Sequence, residues 1–254
     1  MKNIKGIIFD KDGTLFHYGT VWGPIGSRML VNVLEGFPTL TGEEKEELGL
    51  NIERKLGVDR YGNNNPDGVL YDNRKLPMAI LYVACRAIKF RISPIRLIRA
   101  ISDGLESLSD NLQEDLKGHD FSEGRETLKA LHEKGYRLGI VTSDNSKSTP
   151  IFISSMGIGE CIDFVRTSDD PGCRKKPHPD AIEQFCSEYG FTSDEVCVVG
   201  DTVGDMVFGK KGKAGYRIAL LTGMNDPVKL EKHSDVVYES IKDLRKDPVL
   251  FPEA

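Results

Sequence analysis

The stretch "IIFDKDGTLF", Ile7 to Phe16, sets two aspartates, Asp10 and Asp12, directly after an apolar run and just before a glycine. A short run that is apolar throughout reads as a strand covered on both faces, as in a parallel sheet. Three further runs share this character: "YRLGIVT" (136–142), "EVCVVGD" (195–201) and "YRIALLT" (216–222). The segments "IDFVRTS" (162–168) and "SDVVYES" (234–240) are weaker members of the same set. Amphipathic helices fill the intervals, the clearest being "EGRETLKALHEKG" (123–135), with Leu128 and Leu131 on one face and Gly135 placed to end it. Strand and helix therefore alternate over 118–240. That alternation predicts an α/β fold with a doubly wound, Rossmann-like parallel sheet.

Residues 17–117 break the rhythm, because helical patterns at 22–35, 42–57, 74–91 and 94–113 separate the first strand from the next. Thr41 followed by Glu44 forms a capping-box signature, and Ser93-Pro94 places a cap and a first-turn proline. Between the second and third helices, "DRYGNNNPDGVLYDN" (59–73) is dense in turn formers and reads as a loop. The simplest account is a helical domain, 17–117, inserted into an α/β core built from 1–16 and 118–254.

At 254 residues, the chain is long enough for one large domain carrying such an insert. Its 34 Lys and Arg face 39 Asp and Glu, and the net charge of −5 argues against a nucleic-acid binder or an anionic-membrane binder. Five scattered cysteines (Cys85, Cys161, Cys173, Cys186, Cys197) form no C-x-x-C pair, which fits a reducing cytoplasm. The N-terminal apolar run is too short for a signal peptide. The most apolar segment, "LPMAILYVACRAIKF" (76–90), carries Arg86 and Lys89 within less than a membrane span and reads as a packed helix.

Ligands of open parallel sheets bind beyond the carboxyl ends of the strands. Asp10 and Asp12 follow the first strand; Thr142, Ser143 and Asp144 follow the second; Lys176, in "KKPHP", follows the weak third; Asp201 and Asp205, in "GDTVGD", follow the fourth. Carboxylates gathered at one sheet edge repel each other unless a divalent cation neutralises them, and ligand sets made only of oxygen point to Mg²⁺. A lysine and a hydroxyl beside that cation suit phosphate oxygens, so the chemistry suggested is phosphoryl transfer.

In order along the chain, "DKDGT", "VTSD", "KP" and "GDTVGD" resemble the four motifs of the haloacid dehalogenase-like (HAD) superfamily. The stretches "GYRLGIVTSDN", "KKPHPDAIEQF", "VVGDTVGDMVFGKK", "LLTGM" and "SDVVYESIKDL" are similar to phosphoglycolate-phosphatase-like members, and the insert lies where members with a small helical cap carry theirs. The resemblance implies that Asp10 attacks phosphorus to form an aspartyl-phosphate and that Asp12 is acid for the leaving alcohol, then base for water. It implies that Thr142 binds a phosphoryl oxygen and that Lys176 offsets charge on nucleophile and phosphate. Asp201 would ligate Mg²⁺ beside Asp10 and the backbone carbonyl of Asp12, with Asp205 supporting it directly or through water. Dehalogenase and phosphonatase members lack an acid at the Asp12 position, which favours a phosphatase. A sugar phosphomutase and a non-catalytic binder of a phosphorylated ligand are the alternatives. The expected partner is a small phosphorylated metabolite, on a monomer or homodimer, with the insert closing over the site to exclude water.

Blander readings compete at each position. An EF-hand loop needs Gly and Glu where the chain has Leu15 and Val21, and the near P-loop "GDMVFGKK" ends in Lys211 instead of Ser or Thr. Lys175 is a solvated neighbour of Lys176, while Asp144 and His178 read as solvent-facing polar residues. Lys11 reads as surface-pointing. Arg86, Lys89, Arg91, Arg96 and Arg99 read as a solvated face, Trp22 as core of the insert, and "FHYGTVW" (16–22) as a hinge that brings His17 and Tyr18 within reach of substrate. Lys213, in "GKKGKAG", stands at a usual glycine of related sequences, which predicts a differently shaped helix end.

Overall fold

A computed structural model describes residues 2–252 apart from 58, 62, 64, 66–67, 70–74 and 224–225. The loop expected over 59–73 lies partly outside the described residues, as does Met224 of "LLTGM". The chain divides into two compact units, Met1–His17 with Leu116–Ala254, and Tyr18–Asp115.

In the first unit the described strands are β1 (Gly6–Phe9), β2 (Arg137–Val141), β3 (Phe164–Arg166), β4 (Val196–Gly200), β5 (Tyr216–Leu220) and β6 (Val236–Tyr238). They form one parallel sheet in the order β3-β2-β1-β4-β5-β6. The central position of β1 explains its unbroken apolar run, since every residue of Gly6–Phe9 is buried, with Ile7 opposite Leu138 on one side and Cys197 on the other. The outer strands β3 and β6 are three residues long and mostly half-buried, which is why their sequence signal is weaker. One core cluster packs Ile8, Phe164, Ile182, Phe185, Val198 and Phe208 together.

The end of this unit is fastened by a buried carboxylate. Asp247 accepts the Tyr216 and Tyr238 hydroxyls on Oδ2 at 2.8 and 2.9 Å, and the Val249 and Leu250 amides on Oδ1 at 2.8 and 2.9 Å. Burial and Asp247 together push Tyr238 up to about 12 and hold Tyr216 well above the ordinary phenol range.

The second unit contains α1 (Tyr18–Glu35), α2 (Gly42–Leu56), α3 (Leu76–Lys89) and α4 (Pro94–Asp115). Leu30, Leu34, Leu48, Ile52, Ala87 and Leu97 are buried in its core. The capping box at α2 is present, with the Glu44 amide donating to Thr41 Oγ1 at 3.2 Å and the Thr41 amide to Glu44 Oε2 at 2.8 Å. Helix α1 begins at Tyr18, earlier than the helix expected over 22–35, so most of the stretch read as a hinge is its first turn, Gly19 included. Trp22 is half-buried, not a core residue, with its ring 6.4 Å from Tyr18. The described basic residues of this unit are exposed or half-exposed; Lys89 meets Glu47 at 2.6 Å and Arg96 lies over the Phe37 ring. No described helix is long and apolar enough to cross a membrane.

Returning to the first unit, α5 (Ser122–Glu133), α6 (Ser148–Met156), α7 (Asp180–Tyr189), α8 (Val203–Lys211) and α9 (Pro227–Glu231) connect the strands. The end of α8 keeps the shape a glycine would take: Lys213 adopts φ 58°. A side chain in this left-handed region costs about 1 kcal/mol. Lys213→Gly is therefore expected to raise stability by up to about 1 kcal/mol in urea unfolding, and a drop instead would show that the lysine side chain contributes more than the strain removes.

Candidate active site

The carboxyl ends of β1 and β4, the first turn of α8 and the loop before α7 bring four sequence-predicted residues together. Asp10 follows β1, and its amide donates to Val199 O of β4 at 2.9 Å. Asp201 follows β4 directly. Asp205 is locked by the start of α8, where its amide donates to Thr202 Oγ1 at 3.1 Å and its Oδ2 accepts the Thr202 amide at 3.0 Å. Asp10, Asp201 and Asp205 each offer an oxygen within 4.8 Å of the others. Lys176 Nζ donates to Asp10 Oδ1 at 2.5 Å and to Asp205 Oδ1 at 2.6 Å, and the bond from Lys176 to Pro177 is cis. All four side chains are at least nine-tenths buried.

Two glycines leave room for Asp201. Gly13 has φ +81°, and a Cβ there would lie 2.7 Å from Asp201 Oδ2; at Gly223 it would lie 1.7 Å from the same oxygen. Thr14 Oγ1 donates to Asp201 Oδ1 at 3.3 Å, and Thr222 Oγ1 donates to Gly13 O at 2.6 Å. Sequence reasoning passed over Thr14, Thr202 and Thr222. Thr202 carried a readable signal, an N-cap hydroxyl three residues before an acid.

Burial pushes the Asp10 carboxyl up to about 7, with Asp205 and Asp12 adding to the rise and Lys176 opposing it. For Lys176, burial works against the ammonium, but Asp10 and Asp205 outweigh it and hold its pKa well above the ordinary lysine range. Three carboxylates against one ammonium leave excess negative charge in a dry place, and all the donors are oxygens. That donor set fits a hard divalent cation, with Asp10, Asp201 and Asp205 as the side chains able to hold it.

Thr142 is buried at the end of β2, where its Oγ1 accepts the Asp144 amide at 3.1 Å. His178 is half-exposed, with Nδ1 2.7 Å from Asp180 Oδ1. The expectation of a surface-pointing Lys11 is overturned: the side chain is fully buried, and its Nζ lies 2.8 Å from Asp12 Oδ2, 3.0 Å from Asp144 Oδ2 and 3.6 Å above the Phe152 ring. Asp144 is correspondingly a partner of Lys11 and not a free solvent-facing acid. The sequence does not place Asp144 and Phe152 beside Lys11; the sheet and α6 do.

A haloacid dehalogenase-like hydrolase family model matches residues 4–213. The phosphoglycolate phosphatase of Vibrio vulnificus (strain YJ016) is 29% identical over 252 residues, covering 96% of this chain and 95% of that protein. The pyrophosphatase PpaX of Halalkalibacterium halodurans is 32% identical over 96 residues, 38% of this chain and 43% of that protein. Against several of its curated relatives the chain aligns with only about half of their length. A crystal structure from Haemophilus somnus 129PT, named as a predicted phosphoglycolate phosphatase, superposes with a TM-score of 0.64 at 19% identity, covering 97% of this chain and 98% of that one. At that identity the likeness bears on the fold.

Proposed function

The chain belongs to the haloacid dehalogenase-like hydrolases, and from that premise we propose that it is a phosphatase of small phosphomonoesters, dependent on Mg²⁺. The observation that carries the proposal is the meeting of Asp10, Asp201 and Asp205, two of which, Asp10 and Asp205, pair with the Lys176 ammonium. An Asp10 carboxylate oxygen attacks phosphorus while the bond to the leaving alcohol breaks, and Asp12 gives the departing oxygen its proton. Asp12 then takes a proton from water, whose oxygen attacks the phosphorus of the aspartyl-phosphate; inorganic phosphate leaves and Asp10 is free again. Lys176 fixes Asp10 and, with the Thr142 hydroxyl, balances charge on the phosphoryl oxygens. A divalent cation held by Asp10, Asp201 and Asp205, with the Asp12 carbonyl, would supply electrostatic stabilisation of the phosphoryl group.

Phosphoglycolate is the substrate suggested by the relative that aligns over nearly the whole chain, and pyrophosphate by the second. A panel of both, other phosphorylated metabolites and p-nitrophenyl phosphate, with and without Mg²⁺, tests the proposal. Failure to hydrolyse any phosphoester would favour a non-catalytic binder of a phosphorylated ligand. Turnover of β-glucose 1-phosphate that needs a bisphosphate primer would favour the mutase.

The buried Asp10 also sets a pH dependence. Its folded pKa of about 7 is raised above the ordinary 3.8, so the stability it contributes to the metal-free protein is full below 3.8 and lost as pH rises through about 7. Mg²⁺ competes with that proton. Thermal shift assays are expected to show Mg²⁺ stabilising the protein strongly above pH 7, by about 2.7 kcal/mol at a hundredfold excess over Kd, and the effect fading as pH falls below 7. A Mg²⁺ effect of equal size at pH 5 and pH 8 would remove Asp10 from the ligand set.

A further inference from the structure

Lys11 sits between the two aspartates that the proposed mechanism uses, yet that mechanism gives it no task. Its side chain is fully buried, and its Nζ contacts both oxygens of Asp12, Oδ1 at 2.9 Å and Oδ2 at 2.8 Å. The same ammonium lies 3.0 Å from Asp144 Oδ2 and 3.6 Å above the Phe152 ring, whose partner Phe16 stacks on it at 5.3 Å. Three separate segments therefore surround this one charge: the loop after β1, the loop after β2 and helix α6. An uncharged side chain of similar length, such as methionine, would fill the space against Phe152 without the cost of burying an ammonium. The charge is accounted for by the two carboxylates it joins.

The anchor is itself fixed. The Asp144 amide donates to Thr142 Oγ1 at 3.1 Å, and Asp144 Oδ1 accepts the Asn145 amide at 2.8 Å. Asp12 is partly exposed, and Lys11 meets both oxygens of its carboxylate. We propose that Lys11 is a positioning residue for Asp12, which it grips by both oxygens while Asp144 serves as a permanent second partner. Asp12 can then release one oxygen toward the leaving group without stranding the buried ammonium. Proton delivery to the alcohol is thereby aimed, and the ammonium stays paired throughout.

This inference rests on the reading of Asp12 as acid and base, and the test separates the two. Steady-state kinetics compare an alkyl monoester, phosphoglycolate or the best of the panel, whose alcohol needs a proton, with p-nitrophenyl phosphate, whose phenolate leaves without one. Lys11→Met is expected to lower kcat on the alkyl ester by about 30-fold, a fraction of the roughly 10²–10⁴-fold that acid–base catalysis contributes, while changing p-nitrophenyl phosphate turnover only a few-fold and KM little on either. Lys11→Arg recovers part of the alkyl activity, and Asp144→Asn shifts the ratio of the two activities in the same direction by a smaller factor. Equal losses on both substrates, or a change confined to KM, overturn the proposal; should Lys11→Met fail to fold, an unchanged ratio in Asp144→Asn overturns it. Asp12→Asn serves as the reference. If it fails to discriminate between the substrates, the acid–base reading falls and this proposal with it; if it discriminates while the Lys11 and Asp144 variants do not, the positioning role alone falls.

Discussion

An Asp10→Asn chain is expected to hydrolyse p-nitrophenyl phosphate on the order of 10⁴-fold more slowly than the wild type, because an amide cannot replace the attacking carboxylate. The substitution separates chemistry from folding. Asp10 is buried with its pKa raised to about 7, so the pocket disfavours its ionised form, and a neutral amide of the same shape relieves that cost. In metal-free buffer at pH 8 the variant should accordingly melt no lower than the wild type, while losing most of its response to added Mg²⁺. A residual rate within tenfold of wild type would sink the nucleophile assignment. A lower melting point with activity lost would mean instead that the ion pair with Lys176 outweighs the burial of Asp10.

The second large effect is structural and lies away from the chemistry. Removing the Asp247 carboxylate leaves two tyrosine hydroxyls and two backbone amides without their acceptor, all in or beside the core. Each stranded donor costs about 1–3 kcal/mol, less where water can reach it. Asp247→Ala is expected to destabilise the protein by about 4 kcal/mol, lowering the melting temperature by roughly 10 °C for a chain of this size. Asp247→Asn, which retains one acceptor oxygen, should cost about half as much. Urea unfolding followed by tryptophan fluorescence and by circular dichroism checks both values. A loss below about 1 kcal/mol for the alanine variant would show that water replaces the carboxylate.

How much of this molecule could be read from its sequence depended on whether a residue's surroundings are local. The strands β1, β2, β4 and β5 announce themselves because both faces of each are covered, so their own composition records the burial. The convergence of Asp10, Asp201, Asp205 and Lys176 was legible for a related reason: parallel strands end on the same edge, so residues just past those ends have a common destination. Lys11 was misread because a lysine after a strand is ordinarily solvated, and the partners that make burial tolerable, Asp144 and Phe152, lie far along the chain. Nor does the sequence show that α1 starts as early as Tyr18 and takes in Gly19, since local propensity argues against helix there. Lys213 was half legible: the position that wants a glycine could be identified, but not that the lysine would accept the same backbone angle.

The place of β1 in the sheet bears on how the protein is made. This strand, synthesised before both of its partners, is hydrogen-bonded to β2 and β4, with Gly6 opposite Arg137 and Val196. Long-range pairing of this kind is slow to form, and a nascent chain emerges from its N-terminus. Until residues 137–141 are exposed, β1 has neither neighbour, and until 196–200 follow it has one. The carboxylate pair Asp10 and Asp201 cannot assemble earlier than that. An incomplete chain therefore carries an apolar strand in need of protection but no charged pocket to stabilise, and the demand on chaperones should peak in the interval between the synthesis of β1 and that of β4.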